Sequence, residues 1–312
     1  MEKEPLISII IITYNSSKFI LDTLESVKEQ NYRNLELIVT DDCSLDNTVN
    51  ICSNWIEDNK DRFVRTELIT FKENTGIAPN CNRGLFKAKG EWIKLIGGDD
   101  ALESFYCNHI INYAKKNPDA LCIITNVTKY KDFFTENNII FKSDLKKELI
   151  FKVDNSPQNQ FQYLLYSNMI YTAGVIIHKK VYDNLGFYDE KYPFAEDFPF
   201  WIKITKSNIK IHFLDIYGAK YRIHSNSVQQ IQSNVFWSKY RYSCYLFNIE
   251  KLKYYPHYER FLRRIILQAE YCCYKVFNNK KNVFISIVLF VFIFLPRFML
   301  NMIVKKKLKN GF

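Results

Sequence analysis

The sequence has few of the features that mark repetitive, disordered or disulfide-rich proteins. Only 9 glycines and 8 prolines occur among 312 residues, and the lack of internal repeats and low-complexity segments excludes repeat and disordered classes. The 8 cysteines lack C-x-x-C spacing and are scattered through apolar runs, so we expect reduced, buried thiols rather than a disulfide framework. The N-terminus has no basic stretch and no small-residue cleavage site, which predicts a cytosolic chain.

The composition is that of a folded protein with a basic C-terminal part. Hydrophobic residues make up 47% and charged residues 24% of the chain, and its length allows one large domain plus an appendage, or two domains. The net charge is +10, and much of the excess lies beyond residue 238. A basic segment that flanks apolar sequence favours an anionic membrane surface over nucleic acid as the partner.

Strand and helix patterns alternate over the first hundred residues. Residues 7–12 are a continuous apolar run rich in isoleucine, typical of a strand buried on both faces of a parallel sheet. Further strands are predicted at 35–39, 66–71 and 92–96, with amphipathic helices between them. This alternation predicts an α/β fold with a mostly parallel sheet flanked by helices. Residues 130–160 are polar and Lys-rich, and their pattern predicts no definite element.

Polar pairs follow three of these strands: Tyr14-Asn15, Asp41-Asp42 and Asp99-Asp100. Ligands of open α/β sheets bind outside the carboxyl ends of the strands, so we expect these pairs to converge on one crevice. Gly97 and Gly98 precede the last pair and allow a sharp turn close to a ligand. Adjacent carboxylates repel unless a cation lies beside them, which favours Mg²⁺ or Mn²⁺ with a diphosphate; a plain Asp-Asp turn with a helix cap is the alternative.

In their order and spacing these motifs resemble the family 2 glycosyltransferases, which have the GT-A fold. The opening strand of that family and its Thr-Tyr-Asn are matched by Ser8 to Asn15, and its Asp-Asp-x-Ser-x-Asp by residues 41–46. The long motif that leads to the family's metal site is matched from Asn74 to Ile93. The resemblance covers residues 6 to 228.

The resemblance implies a division of the chain into two parts. Residues 1–228 would form a GT-A-type, Rossmann-like catalytic domain, and residues 229–312 a helical, basic and apolar extension associated with a membrane. Within that extension, residues 283–295 are shorter than the ~20 residues that span a bilayer. Adding residues 298–304 reaches this length, but Lys-rich flanks favour both ends on the cytosolic side. We expect an interfacial or re-entrant anchor; a pair of core helices packed on the catalytic domain is the alternative.

The resemblance also implies roles for individual residues. Thr13, Tyr14 and Asp42 would hold the nucleobase, while Asp99 and Asp100 would hold the ribose, the diphosphate and the metal, Mn²⁺ or Mg²⁺. The other residues expected to bind the nucleotide sugar are Asn15, Asn82, Arg83, Glu196 and His224.

Two positions depart from the family pattern. Many members have an Asp where Gly97 stands, which leaves open whether Asp99 or Asp100 ligates the metal. Many members also have an Arg where Cys81 stands, and Arg83 is placed to compensate for its loss.

Glu196-Asp197 resembles the Glu-Asp motif with which the family begins a helix. As general base, Asp197 would face the anomeric carbon opposite the diphosphate and take the proton of the acceptor hydroxyl, a displacement that inverts the anomeric configuration. An acidic pair that stabilises a helix N-terminus is the alternative. Residues 221–224, Tyr-Arg-Ile-His, are similar to the family's closing segment, whose basic pair can reach the diphosphate; a hydrogen-bonded loop histidine is the alternative for His224.

The sequence thus predicts a metal-dependent, inverting glycosyltransferase of the bacterial surface-polysaccharide type. The expected donor is a nucleotide diphosphate sugar carrying UDP, and the expected acceptor is a saccharide or lipid-linked saccharide. The expected location is cytoplasmic, peripheral or monotopic at the inner face of the cell membrane. A sugar nucleotidyltransferase is one alternative, although that class has a Gly-rich loop where this chain has Thr13-Tyr14-Asn15. A non-catalytic nucleotide-binding protein of the membrane surface is the other.

Overall fold

The structure, a computed structural model, describes residues 4–152, 155–225, 235–280 and 283–310. Within these ranges, nine strands form one sheet and eleven α-helices surround it. The strands are β1 Ile7–Thr13, β2 Leu35–Asp41, β3 Arg65–Thr70, β4 Trp92–Gly97, β5 Ala101–Leu102, β6 Cys122–Lys131, β7 Ile139–Lys142, β8 Val175–His178 and β9 Ile211–Ile223. The helices are α1 Ile20–Lys28, α2 Thr48–Asn59, α3 Ile77–Lys87, α4 Tyr106–Lys116, α5 Leu149–Lys152, α6 Pro157–Tyr166, α7 Lys179–Leu185, α8 Asp197–Lys206, α9 Lys239–Lys251, α10 His257–Val276 and α11 Val283–Asn310.

The sheet has a parallel half and a mixed half. Its strand order is β3-β2-β1-β4-β8-β6-β9-β5, with β7 paired to β6. The first four strands are parallel, β8 is antiparallel to both of its neighbours, and β6 is parallel to β9. The prediction of an α/β fold with a mostly parallel sheet and flanking helices is confirmed.

Strand β1 shows why its sequence is rich in isoleucine. Ile7, Ile9 and Ile11 face the core formed with α1, α2 and α4, while Ile10 faces the core formed with α3, α6 and α8. All four side chains have no exposed surface, and burial of each stabilises the fold by ~1.5–3 kcal/mol. The strand therefore sits in the middle of the sheet and holds the polar residues that follow it.

Several elements were not predicted from sequence. The longest strand, β9, spans 13 residues whose exposure is mixed rather than alternating, so its pattern gives no clear strand signal. The region 130–160 contains β7, α5 and the start of α6. The eight cysteines are free thiols, and five of them are buried.

The C-terminal helices are fastened to the rest of the fold. Helix α11 continues through Pro296 and packs along α10. Glu259 of α10 is fully buried and accepts hydrogen bonds from Lys307 of α11 (2.8 Å) and from the Tyr166 hydroxyl of α6 (3.1 Å). In the part of the chain that the structure describes, no helix combines the length and the hydropathy needed to cross a membrane. The predicted domain boundary at residues 228 and 229 lies outside the described residues.

Candidate active site at the carboxyl ends of the strands

The ends of β2, β1 and β4 lie side by side because these strands are parallel neighbours. The Asp42 N–H donates to the carbonyl oxygen of Thr13 (3.0 Å), and the Gly98 N–H donates to that of Ile12 (2.9 Å). The polar pairs that follow these three strands therefore meet along one edge of the sheet, as the sequence predicts.

Asp42 is enclosed by hydrogen-bond donors from α3 and from the loop before it. Its carboxylate accepts the N–H and the hydroxyl of Thr75 (3.0 and 2.8 Å), the N–H of Gly76 (2.7 Å) and an N–H of Arg83 (2.6 Å). Gly76 has a φ of +103°, and a Cβ there would lie 2.8 Å from the carbonyl oxygen of Pro193, so only glycine fits. The Asp42 charge is thus neutralised within the protein, and it fixes this loop.

Thr13 and Asn15 are also engaged by the protein. The Thr13 hydroxyl donates to Asp41 (2.7 Å), which ties the ends of β1 and β2 together. The Asn15 side-chain oxygen accepts the Leu45 N–H (2.8 Å), and its backbone has a φ of +50°. Tyr14 lies between them with 48% of its surface exposed. Of the three, only Tyr14 offers an open aromatic face to a ligand.

Asn82 does not join this group. Its amide accepts the Tyr188 N–H (3.0 Å) and donates to the Tyr188 carbonyl (2.9 Å) and to Glu190 (2.8 Å). The Ala78 N–H, one turn earlier in α3, donates to the Pro193 carbonyl (3.1 Å). Helix α3 therefore holds residues 188–193, the segment that leads to Glu196, at two points.

The Gly-Gly-Asp-Asp turn separates its two carboxylates. Asp99 keeps one third of its side chain exposed, and its Oδ2 lies 3.0 Å from Nε2 of His224. Asp100 is buried, and its Oδ1 accepts the Arg222 N–H (2.9 Å). Burial, and then the charge of Asp99, raise the pKa of the Asp100 carboxyl well above its usual range. Asp99 is thus the carboxylate that faces outward, and Asp100 lies behind it.

Arg222 and His224 contact different atoms of this turn. Arg222 is 1% exposed, donates to the Asp99 carbonyl (2.7 Å) and to the carboxylate of Asp22 (2.6 Å), and its guanidinium lies 3.8 Å from the ring centroid of Phe134. The basic pair predicted from sequence is therefore divided. Arg222 supports the turn from behind, whereas His224 contacts the outward carboxylate.

Glu196 and Asp197 lie at the N-terminus of α8. The hydroxyl of Thr172 (2.9 Å) and the N–H of Phe198 (2.6 Å) both donate to the Asp197 carboxylate. Burial, and then the charge of Asp197, raise the pKa of Glu196 to about 8, and burial also raises the pKa of Asp197. The hydrogen bonds favour the ionised form of Asp197, so Glu196 is the member of the pair that holds a proton more readily.

Tyr221 of β9 connects the two acidic groups through its neighbours. Its ring centroid lies 6.2 Å from that of Tyr171, which directly precedes Thr172, the residue that donates to Asp197. The next residue in β9, Arg222, donates its N–H to Asp100. After burial, the charges of Asp100, Asp99 and Asp197, in that order, raise the pKa of the Tyr221 hydroxyl. The Gly-Gly-Asp-Asp turn and the start of α8 are therefore linked through the contact of Tyr171 with Tyr221.

Sequence analysis missed two residues of this site, Lys94 and Thr172. Lys94 of β4 is fully buried, and its ammonium donates to the carbonyls of Thr172 (3.3 Å), Ala173 (2.6 Å) and Val175 (3.0 Å). Burial lowers its pKa to about 7. Lys94 thus fixes the 172–174 turn, whose Thr172 orients Asp197. The available signal was a lysine inside an apolar strand that runs into the Asp-Asp turn.

No group of three or more His, Cys, Asp or Glu side chains that would hold a metal ion by itself occurs within the described ranges.

The chain is similar in sequence to known proteins. The family described as "Glycosyl transferase family 2" matches residues 8–185. An uncharacterized glycosyltransferase of Haemophilus influenzae is 27% identical over 236 residues, which cover 75% of this chain and 70% of that protein. WfaP of Escherichia coli, a UDP-Glc:alpha-D-GlcNAc-diphosphoundecaprenol beta-1,3-glucosyltransferase, is 28% identical over 227 residues, which cover 72% of this chain and 79% of WfaP.

Solved structures resemble the chain in fold. TarS of S. aureus, residues 1–349 in complex with UDP-GlcNAc, superposes with a TM-score of 0.60 at 17% identity, covering 86% of this chain and 73% of that one. The same part of TarS in complex with UDP gives a TM-score of 0.58 at 19% identity. At this level of identity the likeness concerns the fold alone.

Proposed function

The chain belongs to glycosyl transferase family 2, and from this premise we propose that it transfers a sugar from a UDP-sugar to a saccharide acceptor, with inversion at the anomeric carbon. One observation carries the proposal: a buried carboxyl pair at the start of α8 is linked to the Gly-Gly-Asp-Asp turn through Thr172, Tyr171 and Tyr221. The donor and the lipid-linked acceptor named for WfaP support UDP and a lipid-linked saccharide in surface-polysaccharide synthesis.

Asp197 acts as the general base in this proposal. The acceptor oxygen forms a bond to the anomeric carbon, the bond from that carbon to the diphosphate breaks, and its electron pair leaves with UDP. The acceptor proton passes to the Asp197 carboxylate, which two hydrogen bonds keep in place. Glu196, with its raised pKa, stays neutral beside it, so the second carboxyl adds no repulsion.

The nucleotide occupies the ends of β1 and β2. Tyr14 supplies the exposed ring against which the nucleobase packs. Thr13, Asn15 and Asp42 shape the pocket through the hydrogen bonds that hold its walls, and Arg83 holds the Asp42 side. Asn82 acts from further away, by placing the segment that leads to Glu196.

The residues of the Gly-Gly-Asp-Asp turn fit a divalent cation, Mn²⁺ or Mg²⁺. Asp99 and His224 offer an oxygen and a nitrogen 3.0 Å apart at the open side of the turn, and such a cation takes its other ligands from water and substrate phosphates. Asp100 lies behind Asp99, where it accepts the Arg222 N–H. When bound, the cation would offset the charge that develops on the departing diphosphate. We assign the direct contact to Asp99 and the supporting position to Asp100.

The C-terminal helices place the protein on the inner face of the cell membrane in this proposal. Phe290, Phe294 and Phe298 follow one another along α11 at four-residue spacing, and each exposes more than half of its surface. Lysines 305, 306 and 309 follow in the same helix. An apolar stripe continued by lysines matches an anionic lipid surface. Sedimentation with phosphatidylglycerol vesicles tests this, with Phe290→Ser/Phe294→Ser/Phe298→Ser expected to stay in solution.

A donor panel tests the transfer reaction. Thermal shifts of the purified full chain with Mn²⁺ and each of several nucleotide sugars should single out UDP-sugars, and UDP release should then follow with saccharide acceptors. A sugar nucleotidyltransferase would instead release pyrophosphate from a nucleoside triphosphate. A binding-only protein would give thermal shifts without product from any donor, which would contradict the proposal.

A further inference from the structure

Lys129 lies in a cage of aromatic rings next to the candidate active site. In the sheet it is opposite Tyr221 of β9 and Phe141 of β7. The residue is partly buried, and its ammonium lies 4.2 Å from the ring centroid of Tyr171, 5.7 Å from that of Tyr221 and 5.8 Å from that of Phe141. These rings fix the position of the charge by cation–π attraction, but they do not neutralise it.

Lys129 has no carboxylate partner among the described residues, and neither has Lys142 of β7, but some lysines of the neighbouring segments do. Three ion pairs show the contrast: Lys146 with Asp215 (3.2 Å), Lys147 with Asp144 (2.8 Å) and Lys220 with Glu103 (3.6 Å). Partial burial of a charge costs hydration free energy, and an opposite charge beside it offsets that cost. The Lys129 charge is therefore available to a ligand.

The cage adjoins the proposed base. Tyr171 directly precedes Thr172, whose hydroxyl donates to Asp197 (2.9 Å). The ring centroid of Tyr221 lies 6.2 Å from that of Tyr171, and the charges of Asp99 and Asp197 help to raise the pKa of the Tyr221 hydroxyl. A molecule that presents a hydroxyl to Asp197 and extends past the 172–174 turn would meet Lys129. The rings are already covered by the ammonium, which favours recognition of charge over stacking of a sugar on these faces.

We propose that Lys129 binds a phosphate group of the acceptor, at a subsite separate from the donor diphosphate. This inference rests on the proposed sugar transfer, because it takes Asp197 as the point where the acceptor hydroxyl lies. A lysine ammonium is a compact point charge that suits phosphate. The acceptor class is thus a saccharide that carries phosphate close to the sugar that receives the transfer.

The test is a titration of the full chain with farnesyl diphosphate, while saturating UDP and Mn²⁺ occupy the donor side. Lys129→Gln should weaken farnesyl diphosphate binding about 10- to 100-fold, the range for a hydrogen bond to a charged group. Lys129→Arg, which keeps the charge, should retain most of it. Lys142→Gln is the matched control, because Lys142 is an exposed lysine of β7 that lies 5.8 Å from the ring centroid of Tyr217.

Each outcome bears on the subsite in a definite way. Equal losses in Lys129→Gln and Lys142→Gln would mean unspecific charge attraction, and a loss of UDP affinity in Lys129→Gln would place the lysine in the donor site; both overturn the inference. Absence of farnesyl diphosphate binding to the wild type overturns it as well. Failure of the wild type to bind UDP refutes the proposed function instead, and the titration without UDP still reads the Lys129 site. Thermal unfolding of each variant checks that it is folded.

Discussion

The two acidic ends of the site are treated differently by the fold. At the end around Asp42, where we propose that the nucleotide binds (the nucleotide end), the charge of Asp42 is met by Arg83 and by the donors of Thr75 and Gly76. At the end around Asp197, the proposed base (the transfer end), Glu196 and Asp197 form no ion pair with any described residue, and burial raises the pKa of both. A carboxylate that is paired with a cation, such as Asp42, fixes the loop around it. A buried carboxyl group without such a partner binds a proton more readily.

Cys81 contributes to this difference. It is buried, and the charges of Glu196 and Asp197 add to burial in raising the pKa of its thiol. At this position, where many family members have Arg, the chain thus places a neutral side chain beside the acidic pair. Arg83 bonds Asp42 instead, so it does not compensate the pair.

The largest expected effect is a loss of turnover without a loss of UDP binding. Asp197→Asn removes the proton acceptor while keeping the size of the side chain, and we expect turnover to fall ~10²–10⁴-fold. UDP affinity, measured by calorimetry, should not change. Asp61→Asn, at an exposed position, is the control and should leave both unaffected. Normal turnover in Asp197→Asn would remove Asp197 from the mechanism.

The next effect concerns the turn between the two ends. In Asp99→Asn, the enhancement of UDP affinity by Mn²⁺ should fall at least ~10–100-fold, the loss usually seen even for residues that only support a metal ligand. Asp100→Asn should lose less, because Asp100 lies behind Asp99 and accepts the Arg222 N–H. Calorimetric titration of UDP with and without Mn²⁺ measures both. A larger loss in Asp100→Asn would reverse the assignment.

A smaller effect sharpens the role of the 172–174 turn. Thr172→Val removes a hydrogen bond that lowers the pKa of Asp197. The acid limb of the rate profile should therefore move to higher pH by about one unit, which corresponds to about 1.4 kcal/mol. Thr172→Ser keeps the hydroxyl and should retain the wild-type limb. Identical profiles for Val and Ser would show that Thr172 only packs.

The smallest effect is on stability. The pKa of Glu196 rises from 4.5 to about 8 on folding, so the folded state binds more protons than the unfolded state between these values. The free energy of unfolding is therefore highest, as far as Glu196 is concerned, below pH 4.5. It declines as the pH rises through about 8, with a slope of at most ~1.4 kcal/mol per pH unit. Glu196→Gln should flatten that decline in urea unfolding at pH 5 to 8. An unchanged slope would contradict the raised pKa.

The nucleotide end was easier to predict from sequence than the transfer end. Strand β1 and the residues after it follow one another in the chain, and a continuous apolar run marks the strand. The turn that holds Asp197 is set by Lys94, and pattern analysis treats a lysine as a solvent-exposed residue. The role of Asn82 toward the nucleotide sugar stays a prediction, whereas its hydrogen bonds to Tyr188, which is 106 residues away, leave no local signal in the sequence.

Helix α3 has a consequence for engineering. It carries Arg83, which bonds Asp42 at the nucleotide end, and its Ala78 and Asn82 form hydrogen bonds to the segment that leads to Glu196. We therefore expect a substitution that shifts this helix to admit a different donor to displace the proposed general base, Asp197, as well. Donor preference and catalytic rate are therefore traits that evolution must adjust together, and libraries that randomise α3 should be paired with compensating changes in residues 188–193.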